Sequence, residues 1–151
     1  AVKDLIKSEQ ELFYISKTGV HEQAISHRLA IRFEGMFVGY CVDCEYNKHL
    51  DLEKKMRIDW DCECKKCKAA ESGVRERKFR PDIIIHERNS DDSNLLVIEL
   101  KKRQDCDFDR AKLKYLTSQN NEYKYQLGVF INFNNGENPL VEFYIDGELD
   151  N

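Results

Sequence analysis

Apolar residues near the start of the chain recur every three or four positions, which is typical of amphipathic helices. This spacing predicts one helix over residues 3–15 and a second over residues 20–33, separated by the residues SKTG. The apolar side of the second helix includes Ile25 and Leu29. Gly35 follows it, and a glycine at this position is a common end signal for a helix.

The rest of the chain is dominated by the patterns of β-strands. The alternation in MFVGYCVDCEYN, residues 36–47, predicts a long strand with two different faces. Continuous apolar runs at residues 82–87 and 95–101, and again in YQLGVFINF, predict strands that are buried on both faces. A helix is predicted over residues 108–118, and LVEFYI is predicted as a last strand at an edge of the sheet.

The order of these elements, α-α-β-β-β-α-β-β, predicts an α/β fold with a central mixed β-sheet flanked by helices. The chain has 151 residues, a length that suits a single domain with one core. Residues 48–78 interrupt the pattern with a charged, cysteine-rich segment, and we interpret them as an insertion into that domain.

The apolar runs at residues 82–87 and 95–101 are separated by the turn-forming residues RNSDDSN. If the two runs pair as an antiparallel hairpin about this turn, Ile83 lies near Ile98. The start of the first strand, at Asp82, then lies beside the end of the second strand.

Three charged residues are brought together by this hairpin. Glu99 and Lys101 are two residues apart in one strand, so they share a face, and Asp82 lies next to them. A lone Glu-x-Lys at the end of a strand is usually a solvated ion pair of little energy. A third charge beside strongly apolar strands favours a binding site instead, because buried charges cost free energy unless they bind a ligand.

Metal-assisted hydrolysis of phosphodiesters is the chemistry that uses such a group. Two carboxylates offer the oxygen ligands that Mg²⁺ or Mn²⁺ prefers. The metal activates a bound water, and a nearby lysine can orient that water and offset the charge of the transition state.

Pro81-Asp82, followed after one hairpin by Glu99-Leu100-Lys101, resembles the motif of the PD-(D/E)xK nuclease superfamily, the fold of many restriction enzymes, repair exonucleases and junction resolvases. The family's core order, α-β-β-β-α-β, is similar to that predicted for residues 20–133. The segments VDCEYN, PDIIIH and LLVIELKK are also similar to a group of short stand-alone bacterial proteins with this fold.

The resemblance implies that Asp82 and Glu99 bind Mg²⁺ or Mn²⁺ together with the carbonyl of Leu100, and that Lys101 serves the nucleophilic water. Members often add a Glu from the first core helix, and Glu22 is the matching position here.

The resemblance is less complete on the helices than on the hairpin. Glu34 is a poorer match than Glu22, because it falls at the end of the helix. Some exonuclease members carry Q-x-x-x-Y on the helix after the motif. Ala111 and Tyr115 have that spacing here, without the Gln, so cleavage at ends, junctions or internal sites stays open.

The sequence CECKKC places Cys62, Cys64 and Cys67 within six residues, which predicts a metal site. A structural Zn²⁺ would need a fourth ligand. An iron–sulfur cluster and three reduced thiols remain alternatives. The candidates for the fourth ligand are Cys41, Cys44, His49 and Cys106.

Charge and hydropathy restrict the partners. The net charge is −4, but basic residues concentrate around residues 65–80 and 101–103. This run is either a solvated loop or a phosphate-binding patch for DNA on an otherwise acidic protein. No apolar run approaches the roughly 18 residues of a membrane span. The charged N-terminal residues are not those of a signal peptide, so we expect a cytoplasmic protein. The predicted nucleic-acid contacts are Arg75, Arg77, Lys78, Arg80 and Lys102.

Two other functions fit the same residues. One is a non-catalytic module on the same fold that binds nucleic acid or a partner protein and carries a structural zinc site. The other is a protein-interaction domain built around zinc, with the acidic group incidental. A metal-dependent deoxyribonuclease is favoured, because a module released from catalysis need not keep Asp82, Glu99 and Lys101 together.

Overall fold

A computed structural model describes most of the chain outside the cysteine-rich segment. The described residues are 1–13, 21–46, 48–49, 52–53, 55–58, 75–90, 92–102, 107–134 and 138–150. Within these ranges, no helix combines the length and the apolar character needed to span a bilayer.

Three α-helices are described: α1 (Val2–Ser8), α2 (Glu22–Phe33) and α3 (Asp107–Thr117). The predicted continuous helix over residues 3–15 is wrong, because α1 ends at Ser8 and the backbone of Glu9 leaves the helical region with φ −138° and ψ 52°. A short 3₁₀ turn, Gln10–Leu12, follows.

Ten strands are described. Their bounds are β1 Cys41–Cys44, β2 Lys48–His49, β3 Leu52–Glu53, β4 Lys55–Ile58, β5 Arg75–Lys78, β6 Ile83–His86, β7 Asn94–Lys101, β8 Leu127–Asn132, β9 Leu140–Ile145 and β10 Glu148–Asp150.

Six of these strands form the central sheet, in the order β1-β6-β7-β8-β9-β10. β7 and β8 are parallel, and the other neighbouring pairs are antiparallel. The predicted mixed sheet flanked by helices is therefore confirmed. The predicted hairpin register is also confirmed, since Ile83 pairs with Ile98 and Ile85 with Leu96.

Two predictions about strands are wrong. The strand expected over residues 36–47 is limited to Cys41–Cys44, and Val38 lies in a turn with 91% of its surface exposed. β9 is not an edge strand, because the short, exposed β10 pairs with its outer side. Within residues 48–78, β2 pairs with β3 and β4 with β5 in two small ribbons.

The sheet separates two apolar layers. α1 and α2 pack on one face, where Leu29 belongs to the same buried cluster as Ile83 and Ile98. α3 packs on the other face, where Leu116 lies in a cluster with Ile84 and other alternate strand residues. This alternation explains the continuous apolar runs, because β6 and β7 are buried from both sides.

Gly128 lets α3 approach β8 closely. A Cβ atom at this position would lie 2.9 Å from Thr117 Cγ2 and 3.2 Å from Tyr144 Cβ. Glycine is therefore the residue that fits between the helix and the sheet here. The close approach holds α3 against β7 and β8, whose C-terminal ends carry the site described below.

Candidate functional site

Asp82 immediately precedes β6, at the end of the sheet where β7 finishes. Its Oδ2 accepts a hydrogen bond of 2.7 Å from the backbone N–H of Leu100. The hairpin register makes this contact possible, because Ile83 pairs with Ile98 and the next residues along each strand meet at the sheet's end. The Asp82 carboxylate is therefore fixed to β7 at Leu100, the residue between Glu99 and Lys101.

Glu99 lies on the α3 side of β7 and is 1% exposed. Its Oε2 accepts a hydrogen bond of 2.6 Å from Nζ of Lys112, on α3. Its Oε1 is buried and has no hydrogen-bond partner among the described residues. A buried carboxylate oxygen without a partner is costly, so this atom is the strongest local indication of a ligand.

Lys101 links the two helices that lie on opposite faces of the sheet. Its Nζ lies 2.9 Å from Oδ2 of Asp109 on α3 and 3.4 Å from Oε2 of Glu22 on α2. Glu22 Oε1 also accepts a hydrogen bond of 3.3 Å from the backbone N–H of Lys102. Glu22 reaches this place because it lies in the first turn of α2, beside the end of β7.

Asp109 completes the group from α3. Its Oδ1 lies 3.2 Å from Nζ of Lys112, while its Oδ2 holds Lys101. Carboxylates and ammonium groups thus alternate from Glu99 through Lys112, Asp109 and Lys101 to Glu22.

The pKa shifts of the two carboxylates on the hairpin follow from burial. Burial raises the pKa of Glu99 well above its ordinary value, and Lys112 opposes that rise only in part. Burial also raises the pKa of Asp82, against the opposing hydrogen bond from the Leu100 N–H. Both groups lie where a nearby positive charge would stabilise the ionised form.

The two ammonium groups behave in the opposite way. Burial by itself lowers the pKa of Lys101, but Asp109, Glu22 and Asp82 outweigh it, so the pKa is raised. Burial likewise acts to lower the pKa of Lys112, and Glu99 and Asp109 raise it overall. The carboxylates around the two lysines therefore favour the charged form of each ammonium group.

Sequence reasoning missed Asp109 and Lys112. They occupy the same helical stripe as Leu113 and Leu116, which lie in the buried cluster under α3. Two charged residues on the apolar side of a helix were the available signal, since charges are rarely buried without partners.

The other predicted acidic and basic residues lie in different surroundings. Glu34 is exposed at the C-terminal end of α2. Lys78 and Arg80 are exposed, and Arg80 Nη1 lies 3.4 Å from Oε2 of Glu45. Lys102 is 3% exposed, so its side chain is not presented on the surface with them.

Arg75 and Arg77 belong to β5, where their backbone positions pair with Ile58 and Met56 of β4. Of the expected phosphate-binding patch, the described part in residues 75–80 thus consists of β5 and the residues that lead from it to Asp82.

The predicted cysteine site lies outside the described residues. Cys62, Cys64, Cys67 and Cys106 all fall in the undescribed segments. Cys41 and Cys44 are free thiols at the two ends of β1. Among the described residues, no three His, Cys, Asp or Glu side chains are grouped as a ready-made metal site.

No protein-family model, curated protein or solved structure matches the chain. The geometry of the site therefore carries the functional argument.

The hairpin carboxylates fit a hard divalent cation in two respects. Asp82 and Glu99 supply carboxylate oxygens, of which Glu99 Oε1 is buried and unpaired among the described residues. With Glu22 and Asp109 there are four carboxylates against two ammonium groups, Lys101 and Lys112. Carboxylates thus outnumber ammonium groups in this cluster, and a divalent cation would offset the charge of those that ionise.

Proposed function

We propose that the protein is a metal-dependent nuclease that hydrolyses phosphodiester bonds in DNA. The observation that carries the proposal is the buried Oε1 of Glu99, which has no hydrogen-bond partner among the described residues, in a group of charged side chains at one end of the sheet that includes Asp82 and Lys101. Buried titratable groups with strongly shifted pKa values concentrate at functional sites.

Asp82 and Glu99, with the carbonyl of Leu100, are the groups that would hold Mg²⁺ or Mn²⁺. Such a cation polarises a phosphate and lowers the pKa of a bound water. The Leu100 N–H fixes one oxygen of Asp82, which leaves the carboxylate in a defined orientation.

Lys101 has the position and charge expected of the group that orients the attacking water. Asp109 and Glu22 hold its ammonium group from both sides of the sheet, and its side chain keeps 12% of its surface exposed. A fixed positive charge at this point would offset the negative charge that grows on the phosphate as it is attacked. The exposed Lys78 and Arg80 are the described side chains that would contact the DNA backbone.

The second candidate function is a non-catalytic binding module on the same fold. The observation that favours it is the pairing of Glu99 with Lys112, because an ammonium group already satisfies one oxygen of a carboxylate that the nuclease needs. In that case the buried charges would only fix the position of α3 against β7.

A cleavage assay separates the two candidates. Linear, circular, single-stranded and branched DNAs would be incubated with Mg²⁺, with Mn²⁺ or with a chelator. We expect cleavage of at least one form, dependent on the metal. In Asp82→Asn the metal affinity and the rate should fall together, because the substitution removes one charge from the site, and excess Mn²⁺ should recover part of the rate.

Asp92→Asn is the matched control, since Asp92 is an exposed aspartate in the turn at the other end of the same hairpin. It should cleave like the wild type. If no DNA is cut and calorimetry detects no Mn²⁺ binding by the wild type, the nuclease proposal fails and the binding module is the better conclusion.

A further inference from the structure

Lys112 and Lys101 are both held by Asp109, but they differ in what else they contact. Lys101 bridges to Glu22. Lys112 donates to Glu99, the most deeply buried carboxylate of the group, at 2.6 Å. Lys112 therefore contacts one of the two side chains that would bind the metal.

The Lys112 ammonium is enclosed. Its side chain is 7% exposed, and Nζ lies 5.6 Å from the centre of the Phe108 ring. An ammonium group and a carboxylate at this depth each depend on the other for the loss of hydration to be offset. In the metal-free protein Lys112 thus supplies the positive charge that Glu99 needs.

A divalent cation at Glu99 would supply the same charge. Lys112 has a second partner ready, because Asp109 Oδ1 lies 3.2 Å from Nζ. The ammonium group can therefore keep a buried ion pair while it gives up Glu99 Oε2.

We propose that Lys112 is an internal counter-ion that positions Glu99 in the metal-free protein. When a divalent cation binds, the Lys112 ammonium group releases Glu99 and keeps its ion pair with Asp109. This inference rests on the proposed metal-dependent function. It makes Lys112 a positioning residue rather than a catalytic one, since it acts through Glu99.

The proposal has a consequence that a purely structural role lacks. If Lys112 competes with the cation for Glu99, removal of its charge should strengthen metal binding even though it weakens the metal-free fold. If Lys112 only holds α3 in place, removal should weaken both.

The test compares Lys112→Met with Lys114→Met, since Lys114 lies on the same helix with its side chain 49% exposed. Mn²⁺ is titrated into each protein by calorimetry, and thermal unfolding is followed with and without Mn²⁺. We expect Lys112→Met to unfold at a lower temperature than the wild type without metal. Its Kd for Mn²⁺ should be about tenfold lower, as the loss of one like charge close to the cation implies. Lys114→Met should match the wild type in both measurements.

An unchanged or weaker affinity for Mn²⁺ in Lys112→Met, with a wild type that binds Mn²⁺, would overturn this inference and leave the nuclease proposal standing. A wild type that does not bind Mn²⁺ would overturn both. If Lys112→Met does not fold, Lys112→Gln keeps a hydrogen-bond donor without the charge, and it is judged by the same affinity criterion. If neither variant folds in the absence of Mn²⁺ and neither folds in its presence, the counter-ion role is also overturned, because the cation then cannot replace Lys112.

Discussion

Buried charge is the property that distinguishes the residues at the end of β7. Glu99 is almost fully enclosed, and its carboxylate has one oxygen on Lys112 and the other without a partner among the described residues. The energy of an unpaired buried group is large compared with that of a surface ion pair. Such an arrangement lowers the stability of the fold, and a cation bound at the site would offset that cost.

Lys101→Ala tests the role of the ammonium group that faces the site. We expect the cleavage rate to fall about a hundredfold or more, the usual effect of losing a transition-state contact, while Mn²⁺ affinity is largely kept. The protein should remain folded, because Asp109 keeps Lys112 as a partner and Glu22 is partly exposed to water.

The measurements are single-turnover cleavage and calorimetry with Mn²⁺. Lys7→Ala is the control, since Lys7 is an exposed lysine in the last turn of α1. If Lys101→Ala cleaves at the wild-type rate on a DNA that the wild type cuts well, Lys101 has no part in the reaction.

At the scale of elements, α2 is held in place by a contact that lies far from the site. Glu9, at the end of α1, accepts hydrogen bonds from Arg28 and Arg32 on α2 at 2.7 to 2.8 Å. α2 in turn presents Glu22 at the end of the sheet. The position of Glu22 therefore depends on how α2 is fastened to the N-terminal segment.

The pKa of Glu9 gives this contact a defined pH dependence. The hydrogen bond from Arg28, with a further contribution from Arg32, lowers the pKa from 4.5 to about 2. A carboxylate whose pKa is lower in the folded state stabilises the fold above its unfolded pKa. That contribution is present above pH 4.5 and is lost as the pH falls towards 2.

Glu9→Gln should therefore be less stable than the wild type at neutral pH, and the difference should shrink as the pH falls through this range. Urea unfolding followed by circular dichroism at a series of pH values measures it. Other titrating groups are common to both proteins, so the difference isolates Glu9. Glu34→Gln, at the exposed C-terminal end of α2, is the control and should be as stable as the wild type at neutral pH. A stability difference that is constant with pH would contradict the assignment.

At the scale of the whole molecule, the hairpin that builds the site was predictable from the sequence. Its register follows from a polar turn between two apolar runs, and a slip by one residue would turn buried isoleucines such as Ile84 out of their layer. The two charges on α3 were not found, because they reach Glu99 and Lys101 only once the helix is docked on the sheet.

The edge of the sheet was not predictable either. β10 consists of the exposed residues Glu148–Asp150, which have no apolar alternation to indicate a strand. It forms because a turn at Asp146 and Gly147, both with positive φ, returns the chain beside β9. The long strand expected around Val38 failed for the opposite reason, since its apolar residues suggested burial and the chain turns there instead.

The two apolar layers share the central strands, so we expect the described fold to unfold as one cooperative unit. Leu29→Ala removes a fully buried side chain from the α2 side and should lower the free energy of unfolding by about 2–5 kcal/mol. Tyr123, Tyr125 and Tyr144 are buried on the α3 side, and near-UV circular dichroism reports their packing. In Leu29→Ala, the unfolding midpoint measured by near-UV circular dichroism should shift as far as the midpoint measured in the far-UV, since a two-state transition has one midpoint for every probe.

Leu140→Ala, at a half-exposed position of β9, is the control and should change the free energy of unfolding by less than about 0.5 kcal/mol. If the far-UV midpoint moves in Leu29→Ala while the tyrosine signal keeps its wild-type midpoint, the two layers unfold independently.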